Sequence, residues 1–581
     1  MGIFEIKDNF YLNGEPFQVI SGSIHYFRTV PEYWQDRLEK LKAMGCNTVE
    51  TYIPWNAHEG KKGQFCFEGR LDVVKFVKLA QELGLYVILR PSPYICAEWE
   101  FGGLPGWLLK EDGMHLRACY EPFLKHIREY YDVLFPLITP LQITQGGPVI
   151  MMQVENEYGY YGDDHKYMET MRDIMLERGV EVPMITSDGP FEGSLKGGCV
   201  EGALPTGNFG SRTEERFAVL DKYTKGGPLM CAEFWVGWFD HWGNGGHMTG
   251  NLEESTRDLD KMLELGHVNI YMFEGGTNFG FMNGSNYYDA LTPDVTSYDY
   301  DGVLTEAGDI TQKYLEYQKV ISKYTEHPQV ELSTKIEKRA YGEVQCVEKV
   351  GLFEALEDIS APIQSNFPMC MEKCDQEYGY ILYTTTLEKE NELSKIRLWG
   401  ANDRANIFAD RKPVVTLYDR ELLSEAEASA KLPDNARMDI LVENMGRVNF
   451  GPLMERQRKG IAECVQVNGH IHYGWEMYPL PLDNVEKLNF SKGYTEELPA
   501  FFKFELDVEE TGDTFLELDG WGKGCVFLNG FNLGRFWEIG PQKRLYIPAP
   551  LLKTGKNEII VFETEGKRTG RICFKNEPDI G

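Results

Sequence analysis

What this chain has little of narrows its chemistry first. Only 59 lysines and arginines stand against 90 acidic residues, a formal charge of −31. Such a surface repels phosphate, so neither nucleic acid nor an anionic membrane is expected as a partner. No apolar run reaches the roughly 18–20 residues that a membrane-spanning helix needs. The 11 histidines are thinly spread, with no H-E-x-x-H and no paired C-x-x-C, so neither a metal nor a cofactor is expected. The first strand-to-helix turn, "SIHYFRTVPEYW", lacks the glycines that cradle a dinucleotide phosphate. The opening "MGIFEIKDNFYLNG" carries charge where an apolar signal core would lie. The twelve cysteines are scattered from Cys46 to Cys573, and only Cys370 and Cys374 are close in sequence. These features predict a cytoplasmic protein with reduced thiols. A homodimer is left open.

What is present is abundant core material. At 581 residues, with 42% hydrophobic and 13% aromatic residues, the chain is long enough for two to four folded domains. Through about residue 325, short apolar runs alternate with helical periods. The runs are "FQVISGSIH", "CNTVETYIPW", "LYVILR", "GPVIMMQVEN", "VPMITSD", "GALPTGNFG", "GPLMCAEFW" and "HVNIYMFEGG". Between the first three, Trp34, Leu38, Leu41 and Met44, then Leu71, Val74, Val77 and Ala80, fall at helical spacing, and Gly45 and Gly84 follow as stops. Continuous apolar strands alternating with amphipathic helices indicate a parallel sheet. Eight such units predict an N-terminal (β/α)8 TIM barrel over residues 1–325.

Beyond about 335 the texture changes to strand-like runs between turns. "RANIFADRKPVVTLY" resembles "GCVFLNGFNLGRFW", each a strand, a turn and a strand, and each leads on to a further strand, "ARMDILVENMG" or "KNEIIVFETEG". Two related β-sandwich modules of the galactose-binding-like jelly-roll type are expected, over 326–490 and 491–581. Such modules bind sugars or brace a neighbour, and bracing is the simpler expectation.

In a barrel of this kind the active site lies at the carboxyl ends of the strands. Those ends carry Glu50, Tyr52 and Trp55, then Glu98 and Trp99, Glu155 to Glu157 in "MMQVENEYGYY", Ser187 and Asp188, Asn208, Glu233 and Trp235, and Tyr271 and Glu274. Carboxylates among aromatic rings, without a cationic cluster, suit a neutral polyhydroxylated ligand. Cleaving a glycosidic bond needs two carboxyls across the anomeric carbon, about 5–5.5 Å apart for a retaining mechanism. Strands four and seven lie across the barrel, so Glu157 and Glu233 can serve, although either glutamate alone could equally close a buried ion pair.

"ISGSIHYFR", "NTVETYIPWNAHE", "RPSPYICAEWEFGGLPGWL", "MMQVENEYGYYG", "CAEFWVGWFD", "MFEGGTNFGFMNG" and "TSYDYDGVLTEAG" together resemble glycoside hydrolase family 35, the β-galactosidases. "ILVENMGRVNFG" and "LNGFNLGRFW" extend the resemblance into the β modules. It implies that Glu157 is the acid/base, that Glu233 is the nucleophile, and that Asn156 bonds the sugar 2-hydroxyl. It also implies that Tyr52, Glu98 and Tyr300 line the galactose pocket beside Tyr271, Cys96 and Ala97, with Trp235 and Trp238 walling the way to the leaving group. Phe450, ending "VENMGRVNF", is expected over the same mouth. By strand alternation Glu155 should face the same side as Glu157 but one layer deeper, in a buried network. Glu274, where many members carry an apolar residue or His, is expected either to sit behind the nucleophile or to alter recognition around it. The chain looks like the compact bacterial, intracellular members, exo-acting on short β-galactosides with β-1,3 linkage favoured. Another exo-β-glycosidase, such as a β-glucosaminidase, and a non-catalytic carbohydrate-binding protein are the alternatives.

Overall fold

The computed structural model describes residues 2–325, 336–388, 391–567 and 569–581. The eight apolar runs form eight parallel strands: β1 (Ile20–Ile24), β2 (Thr48–Tyr52), β3 (Tyr86–Arg90), β4 (Val149–Gln153), β5 (Met184–Asp188), β6 (Ala203–Asn208), β7 (Met230–Trp235) and β8 (His267–Glu274). They close in sequence order, with β8 pairing β1, as a TIM barrel. Nearly every strand residue is buried, because the ring packs inside against itself and outside against helices.

Those helices are α1 (Trp34–Ala43), α2 (Val73–Glu82), α3 (Glu121–Ile138), α4 (His165–Glu177), α5 (Glu192–Gly198), α6 (Thr213–Thr224), α7 (Leu252–Leu265) and α8 (Gln312–Ile321), one after each strand. The buried face of α1 includes Trp34, Leu38 and Leu41, as the periodicity predicts. On α2 the register differs. Asp72 accepts a hydrogen bond from the Lys75 amide and starts the helix at Val73, so Leu71 precedes it and the buried face is Val73, Phe76, Val77 and Ala80. A cap overrode the apolar spacing. Gly45 and Gly84 do end their helices, at φ 107° and 74°, a left-handed backbone that glycine adopts freely.

The remainder is all β. A six-stranded and a four-stranded sheet, spanning Ile363 to Leu480, enclose a core that includes Ile381, Tyr383, Ile407, Ile440, Val465 and Trp475. The second module is an eight-stranded sheet from Ala500 to Lys575 that takes one strand, Gly342–Gly351, from before the first module. The first half of that strand pairs with Arg571–Phe574 and the second half with Ala500–Phe504, so it turns the corner of the sheet. The linear division 326–490 and 491–581 is corrected accordingly: the first module is inserted into the second. An isolated strand does not reveal in its sequence which sheet it will join. The 325/326 boundary borders 326–335, which lies outside the described residues.

The repeated pattern has a structural basis. Arg404–Ala409 with Lys412–Tyr418, and Lys523–Leu528 with Phe531–Trp537, are hairpins, and the first strand of each lies beside the strand that follows, Ala436–Glu443 or Gly555–Glu563. All twelve cysteines are unpaired. Among the described residues no helix is long and apolar enough to cross a membrane.

Candidate active site

The polar strand ends converge on a cavity of about 210 Å³ at the carboxyl end of the barrel, below the roughly 300–1,000 Å³ that holds a drug-sized ligand. Cys96, Ala97, Glu98, Asn156, Glu157, Glu233, Trp235, Trp238, Tyr271 and Tyr300 all line it. Tyr52 does not. Fully buried behind the wall, it directs its one hydroxyl proton at two acceptors, Glu233 Oε1 at 2.6 Å and Asn156 Oδ1 at 2.9 Å.

Glu233 sits near the end of β7 and is held from two sides. Arg90, the last residue of β3, places a guanidinium nitrogen 2.7 Å from Glu233 Oε1, and Trp235 Nε1 donates to Oε2 at 3.1 Å. Arg90 also donates to Asn156 Oδ1 at 2.7 Å and stacks over the Tyr52 ring at 3.9 Å. Beneath lies a polar layer in which Asn269 donates to Ser23 and Glu50, and Ser23 donates to Glu50. This buried cation was missed in the sequence. The terminal Arg of "LYVILR", an unpaired charge closing an apolar strand, was the signal available.

Asn156 is fixed by its oxygen, which accepts from Tyr52, Arg90 and Gln153. Its amide nitrogen spends one proton on Ile95 O at 3.3 Å and has a second to offer the cavity.

Glu157 lies past the end of β4, with φ 48°, and starts the short helix Tyr158–Tyr161. Its amide donates to Ser187 O at 2.9 Å, and Asn208 Nδ2 donates to its Oε1 at 3.0 Å. Burial first, and the Glu233 charge second, push the Glu157 carboxyl up to about 8. Glu98 accepts from Tyr298 and is pushed up to about 7, again mainly by burial.

Cys96, Ala97, Glu98, Glu157 and Tyr300 share a rare backbone, with φ between 48° and 63°. For residues with a Cβ such conformations cost on the order of 1–3 kcal/mol each and concentrate at functional sites. No glycine marks them in the sequence. Surrounding bonds hold them, such as the one from Arg28 to Ala97 O at 2.5 Å.

Two expectations change. Glu155 is not placed by strand alternation, because β4 ends at Gln153 and Glu155 itself has φ 53°. It is in a buried network nonetheless, accepting from Arg117, from Tyr167 and from the Asn156 amide. Glu274 turns away from the nucleophile position: it accepts from Thr29 at 2.9 Å and pairs with Arg37 at 3.4 Å, outside the cavity. A third carboxylate does line the cavity, but it is Glu98.

The first β module reaches into the site. Val448–Phe450 pairs with the barrel segment Ser285–Tyr287, and Phe450 lines the cavity. Arg447 anchors this arm with ion pairs of 2.6 Å to both Glu100 and Glu372. Ile95, Tyr160, Phe239, Asn286 and Tyr288 complete the lining and were not singled out in the sequence. Among the described residues no group of three or more His, Cys, Asp or Glu side chains is arranged to hold a metal ion.

Residues 9–324 match the model of glycosyl hydrolases family 35, more than half of the chain. The chain belongs to glycosyl hydrolase family 35. Residues 368–481 match the first all-beta domain of β-galactosidase, and residues 499–557 its galactose-binding domain. Human beta-galactosidase-1-like protein 2 is 41% identical over 589 residues, covering 99% of this chain and 91% of the relative. Dictyostelium discoideum beta-galactosidase 1 is 38% identical over 629 residues, covering 98% and 93%. Mouse beta-galactosidase is 38% identical over 593 residues, covering 96% and 91%. This family 35 chain is thus a β-galactosidase-like, retaining glycoside hydrolase.

The raised Glu157 carboxyl makes the resemblance's acid/base assignment testable: with Glu157 as proton donor, the rate should fall as pH rises through about 8, because an ionised carboxyl has no proton to give. In Glu157→Gln, assayed on a substrate whose leaving group needs no proton, this alkaline limb should vanish. A limb that persists unchanged belongs to another group, and Glu98 is the first to test.

Proposed function

We propose that this hydrolase removes terminal, non-reducing β-D-galactose from oligosaccharides in two displacement steps, with Glu233 as nucleophile and Glu157 as acid/base. The observation that carries the reading is the contrast between the two carboxyls of one cavity. Glu233 is paired with a guanidinium and two hydrogen-bond donors, whereas Glu157 is pushed up to about 8. A carboxyl gripped by a guanidinium and two donors is positioned for attack, and a neighbour that burial keeps protonated is suited to give a proton.

In the first step the Glu233 carboxylate attacks the anomeric carbon while Glu157 passes its proton to the departing oxygen. A galactosyl ester forms, and the Glu233 charge, which together with burial raised the Glu157 carboxyl, disappears. Glu157, now ionised, takes a proton from water, which opens the ester and regenerates both groups. The free Asn156 N–H suits the 2-hydroxyl, a contact that strengthens as positive charge develops at the ring. Tyr52 holds both Glu233 and Asn156, and thus keeps nucleophile and sugar contact in register.

Exo-action is supported by the cavity's small volume and by its lining of Cys96, Glu98, Tyr271 and Tyr300, which leave room for one sugar ring. Short β-galactosides, with β-1,3 linkage first, are the proposed substrates. The cytoplasm is the proposed location and rests on the twelve unpaired thiols alone. The compact bacterial, intracellular subtype has no further support, as the relatives named above are eukaryotic.

A panel of aryl β-glycosides tests the reading. Cleavage of the β-galactoside alone supports it. Cleavage of the β-glucosaminide instead overturns the sugar assignment, and cleavage of neither returns the chain to the carbohydrate-binding alternative.

Trp235 and Trp238 separate two roles. Their rings meet edge to face at 5.6 Å, but only Trp235 also bonds the nucleophile. Trp235→Ala should therefore slow disaccharide and nitrophenyl substrates alike. Trp238, which is 38% exposed, is the cleaner aglycone probe. Trp238→Ala should cost about 1 kcal/mol in kcat/KM on a disaccharide and little on a nitrophenyl galactoside. Equal losses on both would place Trp238 at the galactose ring itself.

A further inference from the structure

A second, open cleft of about 1440 Å³ begins where the catalytic cavity ends, and the two share Glu157, Tyr160, Tyr288 and Phe450. The barrel segment Leu109–His115 supplies one wall. The first β module supplies the other, through Pro452–Arg458 and through Asn402, Ala462 and Glu463 of its four-stranded sheet.

Resting on the function proposed above, we infer that this cleft is the aglycone channel, and that it holds a neutral oligosaccharide of several units beyond the sugar next to galactose. Three observations carry the inference. The first is continuity: a chain leaving the cavity past Glu157, the proposed proton donor to its linking oxygen, has this cleft directly ahead. The second is the exposure of aromatic rings at the junction. Tyr288 is 67% and Tyr160 42% exposed, and each stands against Phe450, at centroid distances of 6.3 Å and 6.2 Å. Large exposed rings beside a polar cleft are a surface on which sugar faces stack. The third is charge. Arg458 is occupied by Leu109 O and Asp112, His115 by Glu455, and Arg117 by Glu155. Among the described residues Arg456, Asp289 and Glu463 form no ion pair, which leaves one cation beside two carboxylates. That set offers hydrogen bonds to hydroxyls but no net attraction for an acidic sugar.

The cleft is also built to stay open. Val448–Phe450 is stitched to the barrel by strand pairing, and Arg447 behind it is locked between Glu100 and Glu372. The module cannot settle onto the barrel wall without breaking buried ion pairs.

The test measures kcat/KM on nitrophenyl β-galactoside and on a series of neutral oligosaccharides ending in β-galactose, with aglycones of one to four units. Two variants that touch only the cleft accompany the parent enzyme: Arg456→Ala, which removes donors, and Ala462→Trp, which fills the channel. For the parent enzyme kcat/KM should rise on the order of tenfold between one and three aglycone units, the scale of one or two sugar–ring contacts, and then level off. Both variants should keep the nitrophenyl value, and Ala462→Trp should lose most of the rise. Arg456→Ala, on the exposed face of the cleft, guards against a folding defect at Ala462. A parent enzyme whose kcat/KM does not change beyond one aglycone unit, yet still cleaves nitrophenyl galactoside, overturns the channel and leaves the β-galactosidase reading intact. Failure to cleave nitrophenyl galactoside overturns both. A preference for acidic aglycones over neutral ones of equal length also refutes the inference.

Discussion

Glu233→Gln is expected to lose turnover by on the order of 10⁵-fold, the scale on which removal of a nucleophile acts in other covalent catalysts. The loss should be similar for nitrophenyl and disaccharide substrates, because the attacking group is needed whatever departs. The substitution changes one oxygen to nitrogen, so the donor from Tyr52 or that from Trp235 loses its acceptor, and Arg90 loses a charge partner. Arg90 retains Glu50 at 3.6 Å and Asn156 at 2.7 Å, so the barrel should still fold. Unchanged circular dichroism and retained galactose binding would separate a chemical loss from a structural one. Loss of less than about a hundredfold would move the nucleophile to another residue, and Glu98 would be the first to examine.

Glu157→Ala is expected to behave quite differently. Removal of a general acid costs about 10²–10⁴-fold where the leaving group must be protonated and little where it departs unaided. The first step should therefore survive on a dinitrophenyl galactoside, while the second slows for want of a base. Azide, an anion that needs no deprotonation, should then restore turnover and yield a β-configured galactosyl azide. The structure adds a reason for the variant to be stable. Glu157 is nine-tenths buried, and its carboxyl is raised by burial and by Glu233, so it is a group whose ionised form the fold disfavours. Its only side-chain partner among the described residues is Asn208, whose oxygen still accepts from Ser187, so the substitution frees a single amide donor, Asn208 Nδ2. An unrescued loss equal to that of Glu233→Gln would remove the division of roles.

The barrel was legible because each of the eight strands lies in a short apolar run and helical spacing shows between the first of them. The cavity was legible at the level of which residues meet, since strand ends in a barrel share one mouth. Three things were hidden. The left-handed backbone at Cys96, Ala97, Glu98 and Glu157 is imposed by distant bonds rather than by glycine, so the true placement of Glu155 could not be read from alternation. Glu274 follows a register shift in the pairing of β8 with β1, which alternation does not foresee. The strand Gly342–Gly351 joins partners 149 to 232 residues away, and only pairing reveals it. Phe450, by contrast, was anticipated from its aromatic ending, and the arm that carries it makes the first β module part of the site's wall rather than only its support.

The central claim, that Glu233 forms a covalent bond to galactose, is tested most directly by inactivation with a 2-fluoro galactoside, which slows the second step and traps the ester. Digestion and mass spectrometry should find the label on the segment "PLMCAEFWVGWF", at Glu233. A label on Glu98, on Glu157 or on any other segment contradicts the account.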